Sequence, residues 1–280
     1  RKQLGGEEMT LPDLETVLTV MDPQRSPVRL MGGEPTLHSK YAEILRSLKS
    51  CGYQVLVFTN GTQPILHCTA PYLPDRILLN LNDWAFYSGS QRRAIRENMA
   101  ALGNRIELGY TITHPDFELT WHRRAILDAG LQPTIRLGLA QPVIRGDNDY
   151  LPDADLRDAH ASVVHCAKQL SEDNIRLSLD CGFMRCLFSE SDIEALIRAG
   201  TVLRFVCSPT IDVGPGLETW RCAAFTYQKG LNWADIKDQG APREWFAEPG
   251  AGLEQACSQC QHRESGWCQG GCLARTRIQA

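Results

Sequence analysis

Six short, mostly apolar runs within residues 28–179 restrict this chain to a small set of folds. Runs of this length, rich in Val, Ile and Leu, are typical of buried β-strands. They are Val28–Met31, Val55–Thr59, Ile77–Asn82, Ile106–Thr113, Thr134–Ala140 and Ile175–Leu179. Because helical patterns separate them, the sequence predicts βα units around a parallel sheet, either an open sheet or a barrel.

The segments between the runs carry apolar residues at every third or fourth position, as amphipathic helices do. The first helix is expected to start near Thr10, because Pro12 suits a first helical turn. A cap of the Ser-x-x-Glu type is expected at the start of the last predicted helix, near Ser191–Ala199. The other predicted helices are the stripe Tyr41, Ile44, Leu45 and Leu48 ending before Gly52, then Leu119–Ala129, Asp155–Leu170 and Ser191–Ala199.

Composition excludes several classes of protein. The net charge is -4 and no basic run stands out, so nucleic acid is not an expected partner. No apolar stretch approaches the ~20 residues that a membrane span needs, so no membrane association is expected. Spaced cysteines in a chain of 280 residues are more typical of metal binding in a reducing cytoplasm than of a secreted disulfide scaffold.

Eight of the eleven cysteines lie in the last hundred residues, in spaced groups. Eight soft thiolate ligands suffice for two four-coordinate centres, and thiolates select iron–sulfur clusters or zinc. The sequence therefore predicts a metal-holding C-terminal region. Its candidate ligands are Cys181, Cys186, Cys207, Cys222, Cys257, Cys260, Cys268 and Cys272.

The loop after the first predicted strand reads Gly32-Gly33-Glu34-Pro35. Both candidate architectures place ligand chemistry at the C-terminal ends of the strands, which is where this loop lies. Two glycines allow the backbone to turn sharply and to approach a ligand that any side chain would obstruct. The loop could equally be a tight turn with a solvated Glu34, and the motif alone does not decide between these interpretations.

This strand–GGEP–helix unit resembles the radical S-adenosylmethionine (SAM) superfamily, in which GGEP holds the amino-acid end of SAM. The next predicted strand ends in Thr59-Asn60-Gly61, similar to the TNG that commonly follows in that superfamily. Asn80 matches a polar residue that contacts the ribose of SAM in that superfamily. Thr111 and Thr113 lie on one face of the next strand, and that face could contact the cofactor. The resemblance implies a partial (β/α)6 TIM-type barrel, an α/β fold, with SAM bound at these residues.

One defining motif of the superfamily, the CxxxCxxC loop whose thiolates hold the SAM-binding [4Fe–4S] cluster, does not occur in this sequence. The first barrel strand and this loop are expected upstream of Arg1, so that cluster would come from residues outside the chain. A degenerate member that has lost the cluster is the alternative. Cys51 and Cys68 lack the required spacing and are expected to be structural thiols.

The C-terminal region resembles the SPASM or twitch extension of radical SAM enzymes, in which a cysteine-flanked β-hairpin binds an auxiliary [4Fe–4S] cluster. Val202–Cys207, Gly214-Pro215-Gly216 and Leu217–Cys222 are predicted to form that hairpin. The resemblance implies a barrel over residues 1–180 and an auxiliary cluster domain over residues 181–280.

Two partitions of the eight cysteines remain open. Grouping by sequence gives one cluster on the first four cysteines and another on the last four. The SPASM pattern instead assigns Cys272 to the first cluster and leaves the second one ligand short. A zinc site on the last four cysteines is a competing interpretation.

The resemblance implies reductive cleavage of SAM to a 5′-deoxyadenosyl radical, which abstracts hydrogen from a substrate, while the auxiliary clusters handle the electron or the substrate. The implied substrate is a peptide or protein that undergoes crosslinking, oxidation or epimerisation, and the implied electron donor is a flavodoxin or ferredoxin. The alternatives are a dehydrogenase of a small molecule and a non-catalytic iron–sulfur or zinc protein. Candidate residues for the wall that faces the substrate are Trp84, Phe86, Tyr87, Trp121, His122 and Arg136.

Overall fold

Six parallel strands form one sheet, in the order in which they occur along the chain. The computed structural model describes residues 7–24, 27–66, 72–143, 148–207, 211–226, 231–236 and 257–278, so Cys68 lies outside the described residues. The strands are β1 Val28–Leu30, β2 Val55–Thr59, β3 Arg76–Asn80, β4 Ile106–Ile112, β5 Thr134–Leu139 and β6 Arg176–Leu179. All six predicted strands are confirmed, with ends that differ by no more than three residues.

The sheet is the α/β partial TIM-type barrel that the sequence predicts. Each strand pairs in parallel with the next, from Val28 opposite Val55 to Leu137 opposite Leu179. Among the described residues β1 and β6 are the outer strands of the sheet, so the barrel is open between them. The C-terminal ends of all six strands lie at one rim, which brings the loops after β1, β2 and β3 together.

Helices cover the outer face of the sheet, and those in the described ranges are too short or too polar to cross a membrane. Thr10 caps the first of them by accepting a hydrogen bond from the Asp13 amide, as expected for a start near Thr10. The helices are α1 Leu11–Leu18, α2 Tyr41–Ser50, α3 Gly89–Leu102, α4 Thr120–Ala129, α5 Leu156–Ser171, α6 Glu190–Arg198, α7 Gln261–Glu264 and α8 Leu273–Ile278.

The start of α6 differs slightly from the prediction. The helix begins at Glu190 instead of Ser191, because Ser189 and Asp192 form the capping box. The Ser189 hydroxyl accepts from the Asp192 amide at 3.1 Å, and the Asp192 carboxylate accepts from the Ser189 amide at 2.9 Å. Aspartate thus takes the place expected for glutamate in the cap.

The predicted hairpin is present but shorter than expected. Its strands are β7 Asp212–Val213 and β8 Thr219–Trp220, which pair antiparallel around Pro215–Leu217. Val202, which the sequence assigned to the hairpin, instead forms a parallel bridge with Ser178 and extends the main sheet. The prediction that Val202 belongs to the hairpin is therefore wrong, because Val202 pairs with the edge of β6 instead.

The main core lies between the sheet and its helices and continues past Asp180. Phe183, Leu196 and Phe205 belong to the same buried cluster as the strand residues Leu108 and Leu137. The division at residue 180 stays a prediction, since the packing of these side chains is continuous across it.

A separate apolar cluster joins α1 to the hairpin and the segment after it. Val17 of α1 packs against Trp233 and Ile236, together with the hairpin residue Val213. The Trp233 indole Nε1 also donates a hydrogen bond to the Val17 carbonyl oxygen at 3.3 Å. The segment after the hairpin is therefore fixed to the helix that precedes β1.

His160 of α5 is buried among Phe183 and Phe188, and burial lowers its pKa to about 4. An unfolded histidine has a pKa near 6.5, so this group contributes stability above that pH and loses it as the pH falls towards 4. Between pH 7 and pH 5 we expect the free energy of unfolding to fall by about 2 kcal/mol through His160. Urea unfolding of His160→Asn at both pH values measures this contribution.

The control for this experiment is His165→Asn, since His165 lies exposed on the same helix. We expect the control to keep the pH dependence of the wild-type protein and His160→Asn to reduce it. An equal pH dependence in all three proteins would contradict the assignment.

Candidate cofactor site and cysteine groups

The Glu34 carboxylate connects the two motif loops at the rim of the barrel. Its Oε1 accepts hydrogen bonds from the Thr36 hydroxyl at 2.7 Å and the Thr59 hydroxyl at 2.6 Å. Its Oε2 accepts from the Asn60 amide at 2.8 Å. The GGEP and TNG loops are thus held together by one side chain. The structure places Glu34, Thr59 and Asn60 within this single network, and Pro35 begins the short turn that follows Glu34.

The two glycines before Glu34 leave open space above the loop. A Cβ added at Gly32 or at Gly33 would meet no protein atom within 4 Å. Gly32 has a φ of 149°, in the region that favours glycine, whereas Gly33 has an ordinary backbone. The loop therefore offers a bare stretch of backbone at the rim, with room for a ligand.

Asn80 and Thr111 lie beside each other at the ends of β3 and β4. The Asn80 amide donates to the Thr111 hydroxyl at 3.3 Å, and both side chains are partly exposed. Gly109 leaves room for Asn80, since a Cβ there would lie 3.1 Å from the Asn80 Oδ1. Asn82, which the motif reasoning missed, accepts a hydrogen bond from the Thr111 amide at 3.3 Å. Three polar side chains thus lie together at the rim, at the ends of β3 and β4.

Asn98 of α3 supports the TNG loop from below, and sequence reasoning missed it as well. Its side-chain amide donates to the carbonyls of Gly61 and Gln63, at 2.9 and 2.7 Å, and its Oδ1 accepts from the Ile65 amide. The sequence signal was a polar residue on the apolar face of α3, where Asn98 is 3% exposed. Such buried asparagines are expected to satisfy backbone groups of a neighbouring loop.

Charged side chains occupy the inner face of the barrel below the rim. Arg136 of β5 pairs with Asp180 at 2.6 Å, and its guanidinium lies over the Phe58 ring at 5.3 Å. Glu107 of β4 lies between Ile106 and Leu108, which face the core under the helices, so its side chain is on the opposite, inner face. Burial there raises the pKa of Glu107. Burial also lowers the pKa of Arg29, and the charge of Arg136 acts in the same direction. The floor of the barrel is therefore polar.

Most of the other candidate wall residues contact each other. Trp84 stacks on Trp121 with ring centroids 4.3 Å apart, while His122 is buried with Nε2 2.9 Å from the Leu81 carbonyl oxygen. Phe86 is exposed. Of the six candidates, Arg136 is the one that these contacts place on the inner face.

One group of cysteines gathers around Cys272. The Cys181 and Cys272 thiols are neighbours, and their interaction lowers the pKa of Cys272 and raises that of Cys181. Cys222 packs with Cys272 in a small apolar cluster, and burial raises its pKa to about 12. Cys207 is within electrostatic range of both Cys181 and Cys222.

The other cysteines form a second group. The pKa of Cys186 is raised, first by burial and then by the neighbouring thiols of Cys268, Cys257 and Cys260. This grouping places Cys272 with Cys181, as the SPASM pattern does, but it differs from both partitions drawn from the sequence because Cys186 lies with Cys257, Cys260 and Cys268. No disulfide joins the ten cysteines of the described ranges. Within those ranges no three Cys, His, Asp or Glu side chains converge closely enough to hold a single metal ion.

The fold that carries this site, an open parallel α/β barrel, also occurs in solved structures of SuiB from Streptococcus suis. SuiB itself matches with a TM-score of 0.68 and 13% identity, over 99% of this chain and 69% of the SuiB chain. SuiB bound to S-adenosylmethionine matches with a TM-score of 0.62 and 15% identity, over 91% and 63% of the two chains.

SuiB bound to its precursor peptide SuiA matches with a TM-score of 0.63 and 13% identity, over 91% of this chain and 62% of that one. The chain therefore spans less than two thirds of SuiB in two of the three comparisons. At this level of identity the likeness establishes a shared fold. No protein-family model matches the sequence, and no curated protein matches it.

Proposed function

We propose that this chain is the SAM-binding barrel and auxiliary-cluster region of a radical SAM enzyme that modifies a peptide. The observation that carries the proposal is the rim of the barrel, where an open Gly32-Gly33 backbone is fixed by Glu34 to the next loop. The shared fold with SuiB, whose solved structures include complexes with SAM and with the precursor peptide SuiA, supports both the cofactor and the substrate class.

We assign the binding of SAM to eight residues around this rim. Gly32 and Gly33 offer backbone polar groups and open space to the amino-acid end of SAM, and Glu34 and Pro35 fix the shape of that loop. The side-chain oxygen of Asn80 can accept a hydrogen bond from a ribose hydroxyl, and the Thr111 hydroxyl can donate one to it. Thr59 and Asn60 hold the loop beside them through their bonds to Glu34.

The cysteines fit the proposed auxiliary [4Fe–4S] clusters, since four thiolates hold one such cluster and the structure sorts eight cysteines into two groups. The chemistry that the cofactors supply when bound is reductive cleavage of SAM to a radical that abstracts hydrogen from the substrate. The protein positions SAM at the rim, above a floor of paired charges formed by Arg136 and Asp180. A flavodoxin or ferredoxin in the cytoplasm is the proposed source of electrons.

Anaerobic reconstitution of the intact protein tests the proposal. We expect it to bind SAM and to release 5′-deoxyadenosine when reduced. An iron-loaded protein that releases none would overturn the proposed reaction.

Gly33→Ala tests the site more locally. The added Cβ occupies the open space above the loop without straining the backbone, so we expect a folded protein with SAM affinity about five- to a hundredfold weaker. The matched control is Gly89→Ala, where a Cβ also meets nothing within 4 Å but lies at the start of α3. Equal SAM affinities for both variants and the wild-type protein would place the ligand elsewhere.

A further inference from the structure

The loop between β6 and α6, residues 180–189, packs directly on the last loop of the chain. The Arg185 guanidinium lies 5.1 Å from the centre of the Trp267 ring. Arg185 is only 2% exposed, and its Nη1 donates to the Phe188 carbonyl oxygen at 2.7 Å, which fixes the loop in this position. Cys186 follows Arg185 directly and Cys268 follows Trp267 directly, so this contact brings the two cysteine-bearing segments together.

The close approach of these two loops is also seen at Gly271. A Cβ at this position would lie 2.9 Å from both the Cγ and the Sδ of Met184. The φ of Gly271 is 90°, which also favours glycine. Met184 and Gly271 therefore form a contact at which no larger side chain fits without rearrangement, so the two loops have one defined arrangement.

Cys257, Cys260 and Cys268 belong to one compact hydrogen-bonded loop. The Cys260 amide donates to the Cys257 carbonyl at 3.4 Å, and Cys260 then precedes the first turn of α7. The chain returns after that helix, where the Cys268 amide donates to the His262 carbonyl at 3.0 Å. Cys268 is buried in the main core, and its Sγ accepts a hydrogen bond from the Gly270 amide at 3.4 Å.

We propose that Cys186 is the fourth protein ligand of a metal centre whose other ligands are Cys257, Cys260 and Cys268. The nature of that centre, a [4Fe–4S] cluster, rests on the proposed function, whereas the grouping of the four thiols rests on the loop contacts. A centre with four thiolates has no iron site left for a substrate. We therefore assign this centre to electron transfer.

The same contacts give the two centres a shared framework. The loop that carries Cys181 and Cys186 supplies one thiol to each group, and so does the segment with Cys268 and Cys272. Neither group is local in sequence. The two centres therefore share both loops.

Crosslinking of the metal-free intact protein tests the grouping without any cluster. Dibromobimane joins two neighbouring thiols, and peptide mass mapping identifies the joined cysteines. We expect Cys186 to be joined to Cys257, Cys260 or Cys268. Joining to Cys181, Cys207 or Cys222, or no crosslink at Cys186, would overturn the grouping.

Iron content and electron paramagnetic resonance test the centre itself. We expect Cys186→Ala to lose up to about four iron atoms per chain and the signal of one auxiliary cluster. The matched control is Cys51→Ala at the exposed end of α2, which should keep all the iron. If Cys186→Ala keeps the iron and spectrum of the wild-type protein, Cys186 is not a ligand. A wild-type protein that binds no iron but gives the expected crosslinks would instead contradict the proposed function alone.

Discussion

Replacing Glu34 with glutamine is expected to weaken SAM binding by about tenfold to a hundredfold, the effect of losing one hydrogen bond to a charged group. The carboxylate accepts from the Thr59 hydroxyl on one oxygen and from the Asn60 amide on the other. Glutamine has only one accepting oxygen, so its NH2 group must face the backbone N–H of either Asn60 or Thr36, and a backbone N–H cannot accept. The two rim loops then separate, and the backbone of the glycine loop loses its position. Isothermal titration of the reconstituted intact protein with SAM measures the affinity.

The control for Glu34→Gln is Glu43→Gln, which removes a carboxylate of the same length from the exposed pair with Lys40. Exposed pairs of this kind contribute little, so the control should bind SAM as the wild-type protein does. If Glu34→Gln also binds SAM normally, the network at the rim is structural and plays no part in positioning the ligand.

The second large effect is expected at Arg275, where substitution by methionine should lower the free energy of unfolding by about 2–3 kcal/mol. Arg275 is 9% exposed and pairs with Asp153 at 2.5 Å, donates to Gln141 Oε1 at 2.9 Å and reaches the Ala140 carbonyl. It thereby holds the Cys272 segment against the loop after β5. Methionine keeps much of the volume but removes the donor to Gln141 and to the Ala140 carbonyl, together with the positive charge beside Asp153. Chemical denaturation of the metal-free protein measures the change.

A second measurement shows whether Arg275 positions the cysteine group. In Arg275→Met we expect the Cys272 thiol to react faster with an alkylating reagent, since its segment is no longer fixed. Arg198→Met is the control, because Arg198 forms an exposed pair with Glu194 on α6. A variant with unchanged stability and thiol reactivity would show that the contacts of Arg275 are dispensable.

The fold could be predicted from the sequence because each element carries a strong local signal. Alternating burial in Val55–Thr59 and the buried stripe Tyr41, Ile44, Leu45 and Leu48 follow directly from periods of two and of three to four residues. Val202 was placed wrongly because a strand signal does not say which neighbour it pairs with. Its partner, Ser178, is set by the free edge of β6.

The candidate site could be predicted only in part. The motifs indicated Glu34, Thr59 and Asn60, but no local pattern indicates that one carboxylate accepts hydrogen bonds from both loops. The cysteine groups were harder still, because spacing along the chain favours neighbours in sequence. Cys181 and Cys186 are five positions apart, yet they lie in different groups, since the loop between them turns around Arg185. Tertiary packing, which local patterns do not encode, decides that arrangement.

The bond between Trp233 and the Val17 carbonyl has a consequence for the order of events on the ribosome. The two residues are 216 positions apart, so α1 leaves the exit tunnel long before its apolar partner is synthesised. At the usual rate of synthesis this delay is about ten to forty seconds. During that interval the side chain of Val17 and its neighbours stay exposed, which makes the nascent N-terminal segment a candidate for chaperone binding.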